Sequence, residues 1–220
     1  MSVTKAPDYF SVLKGPGSGP VCAIIGCLHG NEIIGLDVLK WLEESIDPAC
    51  IAGELRLILG NPAAYDAKVR FIDQDLNRSF TSFDINTAKN MPPGGRNPEQ
   101  EQLLKLIDLL GDVDYLLDIH ATIKPTKHPF VYCPGNDPDL KKIAGLFSVP
   151  FCVSEGIYLE SMTDGPSDNY VIRNGGYGLT LEAGWLEEPN LLDDLKDDVI
   201  RYLIHTDCLK QTFLINKQHT

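Results

Sequence analysis

The segment VCAIIGCLHGNEIIG, residues 21–35, joins a continuous apolar run to a polar turn and the start of a helix. The apolar run 21–28 is rich in β-forming residues and predicts a buried strand. From about Glu32 to Ser45 apolar side chains recur with the helical period, and Asp47-Pro48 ends the helix. A buried strand that leads directly into a helix is typical of α/β proteins, whose ligands bind beyond the carboxyl ends of the strands.

The rest of the chain continues this alternation, without an internal repeat or a domain boundary. The pattern therefore predicts a single α/β domain over residues 1–220, a three-layer α/β/α sandwich with a mixed, mainly parallel sheet. Residues 61–97 show no sustained period and are predicted to form a long functional loop. Further strands are predicted at 54–60, 114–120, 129–133, 149–153 and 177–183, and further helices from Pro98 to about Leu110, at 138–147 and at 189–207.

The charge and composition exclude several classes of partner. The chain has a formal net charge of −12 and no run of Lys and Arg, which argues against nucleic acid and anionic membrane surfaces. No stretch approaches the ~18 apolar residues of a membrane-spanning helix, and the N-terminus lacks an apolar signal region. The six cysteines are scattered, mostly in apolar runs, which predicts reduced thiols and a cytoplasmic location. Homo-oligomer formation is left open.

Ligand-type residues stand where two predicted strands end. His29 and Glu32 are three residues apart in the strand-to-helix turn, a spacing that lets both bind one cation. His120 ends the strand 114–120, and two histidines with one carboxylate are the ligand set of several hydrolytic zinc sites. Asp118, on the same face, could accept the free N–H of a ligand histidine. Alternatively, His29 bonds to backbone and Glu32 only complements a helix N-terminus.

A second concentration of polar residues lies in the predicted loop. Arg70, Asn77 and Arg78 lie within nine residues of one another in an otherwise acidic chain. An arginine fork pairs with a carboxylate by two hydrogen bonds, and an asparagine amide can add another. These residues could therefore bind an anionic small molecule. Alternatively, Asp73 and Asp75 simply pair with the arginines at the surface, which contributes little.

Glu182 lies near the end of the apolar strand YGLTLEA. An ionisable residue in such a strand is costly to bury unless it is paired or functional. Beside a metal-bound water it could act as a general base and then as a general acid. Alternatively, it faces solvent from an edge strand.

Together these residues resemble the succinylglutamate desuccinylase/aspartoacylase family, a branch of the zinc carboxypeptidase-like hydrolases. The blocks follow the family's order with similar separations. They are GCLHGNEIIG at 26–35, RFIDQDLNRSF at 70–80, LLDIHA at 116–121 and LEAG at 181–184. The resemblance implies a zinc carboxypeptidase-like fold and one zinc ion per chain.

The resemblance also implies a role for each matched residue. Family members hydrolyse N-acyl amino acids, so the implied substrate is a small anionic amide. Its implied site comprises zinc ligands at His29, Glu32 and His120, a carbonyl-polarising Arg70, a general acid/base at Glu182, and a carboxylate-binding pair at Asn77 and Arg78. Asp75 is grouped with that pair as a substrate-binding candidate.

Two departures from the family pattern affect specificity. The family usually adds a smaller β-rich domain after the catalytic part, and this chain ends about where that domain would begin. Relatives of the aspartoacylase type also place a Tyr and an Arg shortly before the catalytic Glu. Tyr170 and Arg173 are nearby but differently spaced, and are candidate substrate contacts only. The alternatives are a metallocarboxypeptidase acting on peptides and a metal-binding protein without catalysis.

Overall fold

The computed structural model describes residues 10–135, 137–154, 165–211 and 213. Within these residues one mixed sheet has the strand order β1-β3-β2-β4-β7-β5-β6. The strands are β1 (Phe10–Lys14), β2 (Val21–Gly26), β3 (Glu54–Leu59), β4 (Tyr115–Thr122), β5 (Phe130–Tyr132), β6 (Phe151–Val153) and β7 (Tyr177–Trp185).

The centre of the sheet is parallel and its margins are not. Strands β3, β2, β4 and β7 run parallel to one another. At one margin β1 is antiparallel to β3, and at the other β5 is antiparallel to β7 and parallel to β6. The predicted mixed, mainly parallel sheet is confirmed.

Helices cover both faces of the sheet. They are α1 (Ile34–Ser45), α2 (Pro62–Ala67), α3 (Ser82–Asn90), α4 (Pro98–Leu110), α5 (Pro138–Ala144), α6 (Ser167–Arg173) and α7 (Leu191–His205). Because side chains alternate along a strand, Ile24 belongs to the buried cluster under α1, α5 and α7, and Ile25 to the cluster under α4 and α6. The predicted three layers are therefore present.

Several elements were not predicted. Strand β1 is an edge strand, and the segment 61–97, predicted as a loop, contains α2, α3 and a 3₁₀ turn at Leu76–Arg78. The short helix α6 was also missed. Each of the three helices is nine residues or shorter, so none shows the sustained period on which the prediction relied.

The chain order creates a crevice between β2 and β4. From β2 the chain passes through α1 to β3 on one side, and later returns to β4 on the other side of β2. Ligands of α/β proteins bind at such a switch point, beyond the carboxyl ends of the strands. His29 follows β2 and His120 lies near the end of β4, so both reach this crevice. None of the described helices is long and apolar enough to cross a membrane.

Candidate metal centre and active site

His29, Glu32 and His120 converge at this crevice. His29 Nδ1 lies 3.0 Å from Glu32 Oε1, and His120 Nδ1 lies 2.9 Å from Glu32 Oε2. The two Nδ1 atoms are 3.1 Å apart. All three side chains are buried, and their ligand atoms lie within 4.8 Å of one another. The sequence predicted that the turn after β2, which carries His29 and Glu32, would meet the end of β4, which carries His120.

Two further carboxylates contact the histidines at Nε2, the ring nitrogen that does not face Glu32. His29 Nε2 lies 3.0 Å from Asp75 Oδ1, and His120 Nε2 lies 3.2 Å from Asp118 Oδ2. A carboxylate that accepts the Nε2–H of an imidazole fixes the tautomer, so the lone pair is on Nδ1. Both Nδ1 atoms face Glu32, so each imidazole in its neutral form would direct its lone pair at a cation held there. The contact of Asp118 was expected, whereas Asp75 was expected to contact substrate or the arginines.

The donor set fits a zinc ion. Two imidazole nitrogens and one carboxylate are zinc ligands, and at ~2.0–2.1 Å from a tetrahedral ion they stand about 3.3 Å apart. The separations of 2.9–3.1 Å found here are close to that value. The residues thus form a compact three-ligand set around one point.

The electrostatics of the cluster follow from its hydrogen bonds. Burial alone would raise the pKa of Glu32, but hydrogen bonds with His120 and His29 lower it well below its usual range. Burial alone would lower the pKa of His120, but the negative charge of Asp118 and hydrogen bonds to Asp118 and Glu32 raise it well above its usual value. These contacts thus favour an ionised Glu32 and a proton on the Nδ1 of His120, and a bound cation would displace that proton.

Arg70 reaches the edge of the cluster. Its Nη1 donates to Glu32 Oε1 at 3.1 Å and its Nη2 to Asp75 Oδ2 at 3.4 Å. The side chain is 45% exposed, so the guanidinium borders both the buried ligands and the solvent. Arg70, which the sequence placed in a loop, therefore lies beside the candidate metal centre.

Asn77 and Arg78 differ in their surroundings. Asn77 is buried; its Oδ1 accepts from Ser167 N at 3.1 Å, and its Nδ2 lies 3.4 Å from His120 Nε2. Arg78 is exposed and donates through Nη1 to the carbonyl oxygen of Asn77 at 2.7 Å. The amide is thus oriented by the protein, whereas the guanidinium is accessible from solvent.

Glu182 is directly opposite His120 in the pairing of β4 with β7. Its side chain is partly buried and forms no hydrogen bond or ion pair within the described part of the chain. Burial, the largest cause, raises the pKa of Glu182, opposed by the nearby charge of His120. A carboxyl group that no described residue occupies by a hydrogen bond, and that can therefore accept and release a proton, lies next to the cluster.

Tyr170 and Arg173 both form hydrogen bonds with backbone carbonyl groups. The Tyr170 hydroxyl donates to the carbonyl oxygen of Ile107 in α4 at 3.3 Å. Arg173 Nη2 donates to the carbonyl oxygen of Phe80 at 2.6 Å. Both contacts join α6 to neighbouring backbone, so the role of these two candidates as substrate contacts stays a prediction.

Two buried residues near the site were not predicted. Ser167 Oγ donates to Asp118 Oδ2 at 2.6 Å, while its N–H holds Asn77. Glu99, fully buried, accepts from the backbone N–H groups of Ile72 and Asp73. Ser167 lies in a segment without periodicity, so the sequence offered no signal, and Glu99 was interpreted only as part of a helix start.

Comparison with known proteins agrees with this geometry. The sequence model described as "Succinylglutamate desuccinylase/Aspartoacylase catalytic domain" matches residues 18–196. A "Probable aspartoacylase" of Parasynechococcus marenigrum (strain WH8102) is 28% identical over 84% of this chain and 59% of its own length. An "N-acyl-aromatic-L-amino acid amidohydrolase (carboxylate-forming)" of Rattus norvegicus is 36% identical over 47% of this chain and 34% of its own length.

Solved structures share the fold of this chain. The product-bound structure of the ectoine utilization protein EutE (DoeB) from Ruegeria pomeroyi superposes with a TM-score of 0.74 at 23% identity, over 91% of this chain and 61% of that one. This likeness concerns the fold alone. The chain thus spans less than two thirds of the length of these relatives. Because the family's catalytic-domain model covers most of its residues, the chain belongs to the succinylglutamate desuccinylase/aspartoacylase family.

Proposed function

We propose that this protein is a zinc-dependent hydrolase that cleaves the amide bond of an N-acyl amino acid and releases a carboxylic acid and a free amine. The observation that carries the proposal is the buried cluster of His29, Glu32 and His120 beside Glu182, whose carboxyl has no partner among the described residues. Relatives named aspartoacylase and N-acyl-aromatic-L-amino acid amidohydrolase support this substrate class.

One zinc ion per chain is proposed at His29, Glu32 and His120. When bound, zinc lowers the pKa of water toward ~7 and polarises a carbonyl group. Asp75 and Asp118 prepare the ligands, because each holds one imidazole with Nδ1 directed at Glu32. The fit of the donor set to zinc supports this assignment.

The chemical step is assigned to Glu182 and Arg70. Glu182 accepts a proton from the attacking water and later delivers it to the leaving amine. Its raised pKa makes the carboxylate a stronger base, which favours the first transfer. Arg70, half exposed at the edge of the cluster, donates hydrogen bonds to the carbonyl oxygen as negative charge develops there.

Substrate binding is assigned to Asn77 and Arg78. The exposed Arg78 guanidinium offers a planar fork to a carboxylate, and the Asn77 amide adds a hydrogen bond from a fixed direction. Holding the carboxylate fixes where the amide bond lies, which is a positioning contribution. In a chain of net charge −12, this local positive charge favours a small anionic substrate.

The test compares an N-acyl amino acid with its methyl ester at the free carboxylate, using zinc-loaded protein. A panel of N-acyl amino acids and short peptides first identifies an active substrate. Wild type should strongly prefer the free acid, and Arg78→Ala should raise KM for it by roughly 10- to 150-fold. Arg78→Lys should recover only part of the loss, because an ammonium cannot form the two-point contact.

Arg201→Ala is the matched control, because Arg201 is also partly exposed but contacts α7 and the loop after α5 instead of the site. Its KM should equal that of wild type. Equal hydrolysis of acid and ester by wild type would contradict carboxylate binding by Arg78. Activity confined to peptides would identify a metallocarboxypeptidase, and zinc binding without any hydrolysis would identify a non-catalytic protein.

A further inference from the structure

Glu99 is a fully buried carboxylate at the start of α4. Its oxygens accept from the backbone N–H of Ile72 at 2.8 Å, the backbone N–H of Asp73 at 3.1 Å and Asn61 Nδ2 at 3.2 Å. All three donors are uncharged. Burying a carboxylate is costly unless hydrogen bonds compensate, so this arrangement requires a fixed set of donors around it.

The position of the two backbone donors is informative. Ile72 and Asp73 lie between Arg70, which contacts Glu32, and Asp75, which contacts His29. The backbone N–H of Gly30 holds the carbonyl oxygen of Arg70, and the two bonds at the middle of the segment are made by a side chain outside the site. Without that side chain, two backbone N–H groups would lose their partner in the protein.

A second contact joins the same two elements. Asn97, the N-cap of α4, donates through Nδ2 to Gln74 Oε1 at 3.1 Å, and Gln74 Nε2 donates to Ser79 Oγ at 2.9 Å. Ser79 Oγ in turn donates to the carbonyl oxygen of Asp75 at 2.9 Å. The first turn of α4 therefore holds the segment 70–79 at two places.

We propose that Glu99 is a positioning residue, which fixes the segment 70–79 so that Arg70 and Asp75 reach Glu32 and His29. The hydrogen bonds of Glu99 are to Asn61, Ile72 and Asp73, none of which belongs to the ligand cluster. The effects of Glu99 on catalysis and on zinc binding rest on the proposed function, whereas its effect on the segment does not.

The test is Glu99→Gln, which keeps the shape of the side chain but replaces one acceptor oxygen with an NH₂ group. Hydrogen exchange at the amides of Ile72 and Asp73 should become roughly 10- to 100-fold faster. The dissociation constant for zinc should rise at least about tenfold, because Asp75 no longer holds His29 firmly. With an active substrate, kcat should fall more than KM rises, since Arg70 acts on charge that develops during the reaction.

Asp198→Asn is the matched control. Asp198 is another buried carboxylate and accepts from Ser148 N and Ser148 Oγ, but it lies in α7 on the opposite face of the sheet. The Asp198→Asn substitution should lower the free energy of unfolding. It should leave hydrogen exchange at the Ile72 amide, the zinc affinity and kcat unchanged. Equal effects of both variants on zinc affinity would reduce Glu99 to a structural residue and overturn the proposal.

The two proposals can fail separately. If zinc-loaded wild type hydrolyses nothing in the panel, the proposed function fails, but exchange and zinc affinity still test Glu99. If Glu99→Gln does not fold, Gln74→Ala probes the same contact between α4 and the segment through a partly buried residue. It should speed exchange across 70–79 and weaken zinc binding, and unchanged values for both would overturn the proposal.

Discussion

Asp75 and Asp118 make the same contact on two different histidines. Because each fixes one imidazole, Asp75→Asn and Asp118→Asn should each weaken zinc affinity roughly 10- to 100-fold, and His29→Ala should abolish stoichiometric binding. Competition with a chelator of known affinity measures this. Asp73→Asn is the control, since its exposed side chain lies on the same segment and should leave the affinity unchanged. Full zinc content in His29→Ala would exclude the proposed ligand set.

Glu182 should act in the reaction without contributing to binding. Glu182→Gln removes the proton-accepting oxygen and should lower kcat at least ~10²-fold, with zinc content and KM nearly unchanged. Steady-state kinetics with the active amide checks this. The exposed Glu187, changed to Gln, serves as the control on the same part of the chain. A near-normal kcat in Glu182→Gln would assign Glu182 a structural role.

At the residue scale, the sequence indicates which side chains meet but less about what they contact. His29, Glu32 and His120 could be foreseen because parallel strands bring their carboxyl ends to one edge of the sheet. The contact of Asp75 with His29 could not, because the two are 46 positions apart and Asp75 stands beside arginines. Tyr170 was expected near substrate, but the orientation of α6 directs its hydroxyl to α4.

Among the elements, β2 and α1 cross at two glycines. A Cβ on Gly35 would stand 2.7 Å from Gly26 Cα and 3.2 Å from the carbonyl oxygen of Ile119. Gly35→Ala should therefore lower the free energy of unfolding by roughly 1–3 kcal/mol and weaken zinc binding, because α1 begins two residues after Glu32. Urea unfolding measures the first effect.

Gly145→Ala is the control for this substitution. Gly145 ends α5, and a Cβ there would meet no atom closer than 3.3 Å. The free energy of unfolding of the Gly145→Ala variant should stay near that of wild type. If Gly35→Ala is equally stable, α1 can move away from β2 at no cost, and the close crossing does not restrain the turn that carries the ligands.

The central strands could be predicted and the peripheral elements could not, for a physical reason. Strands β2 and β4 are covered on both faces, so β2 is continuously apolar and the interior of β4 is apolar except for the site residues Asp118 and His120. The edge strand β1 leaves Phe10 and Val12 about two-fifths exposed, and α3 buries only Ala88. Elements that bury so little leave no periodic pattern, and their ends depend on local caps such as Thr81.

At the scale of the whole molecule, one buried acid couples stability to pH. Burial raises the pKa of Asp168 from 3.8 to about 6. Between these values the unfolded chain loses its proton while the folded chain keeps it, so the free energy of unfolding falls as pH rises. The contribution lost from this group by neutral pH is roughly 3 kcal/mol.

Asp168→Asn should therefore gain stability relative to wild type as pH rises. Urea unfolding at pH 4 and pH 7.5 should show the difference between the two proteins shifting by roughly 2–3 kcal/mol in favour of the variant. Asp168 accepts from Thr180 Oγ1 at 2.8 Å and from the backbone N–H of Asn169 at 2.6 Å, and the variant has only one acceptor oxygen for these two donors. That loss is the same at both pH values, so it does not alter the pH-dependent shift. A difference that is constant across pH would mean that Asp168 is ionised in the folded state.

The return of the chain to the far side of β2 also has a kinetic consequence. His29 and His120 are 91 positions apart, and they meet only when β2 and β4 have paired. Long-range parallel pairing is slow, because loop-closure entropy is lost before the contacts form. The complete ligand set therefore exists only late in folding, so zinc would stabilise the native state without accelerating its formation. Bound zinc would chiefly lower the rate of unfolding, which extends the lifetime of the folded chain.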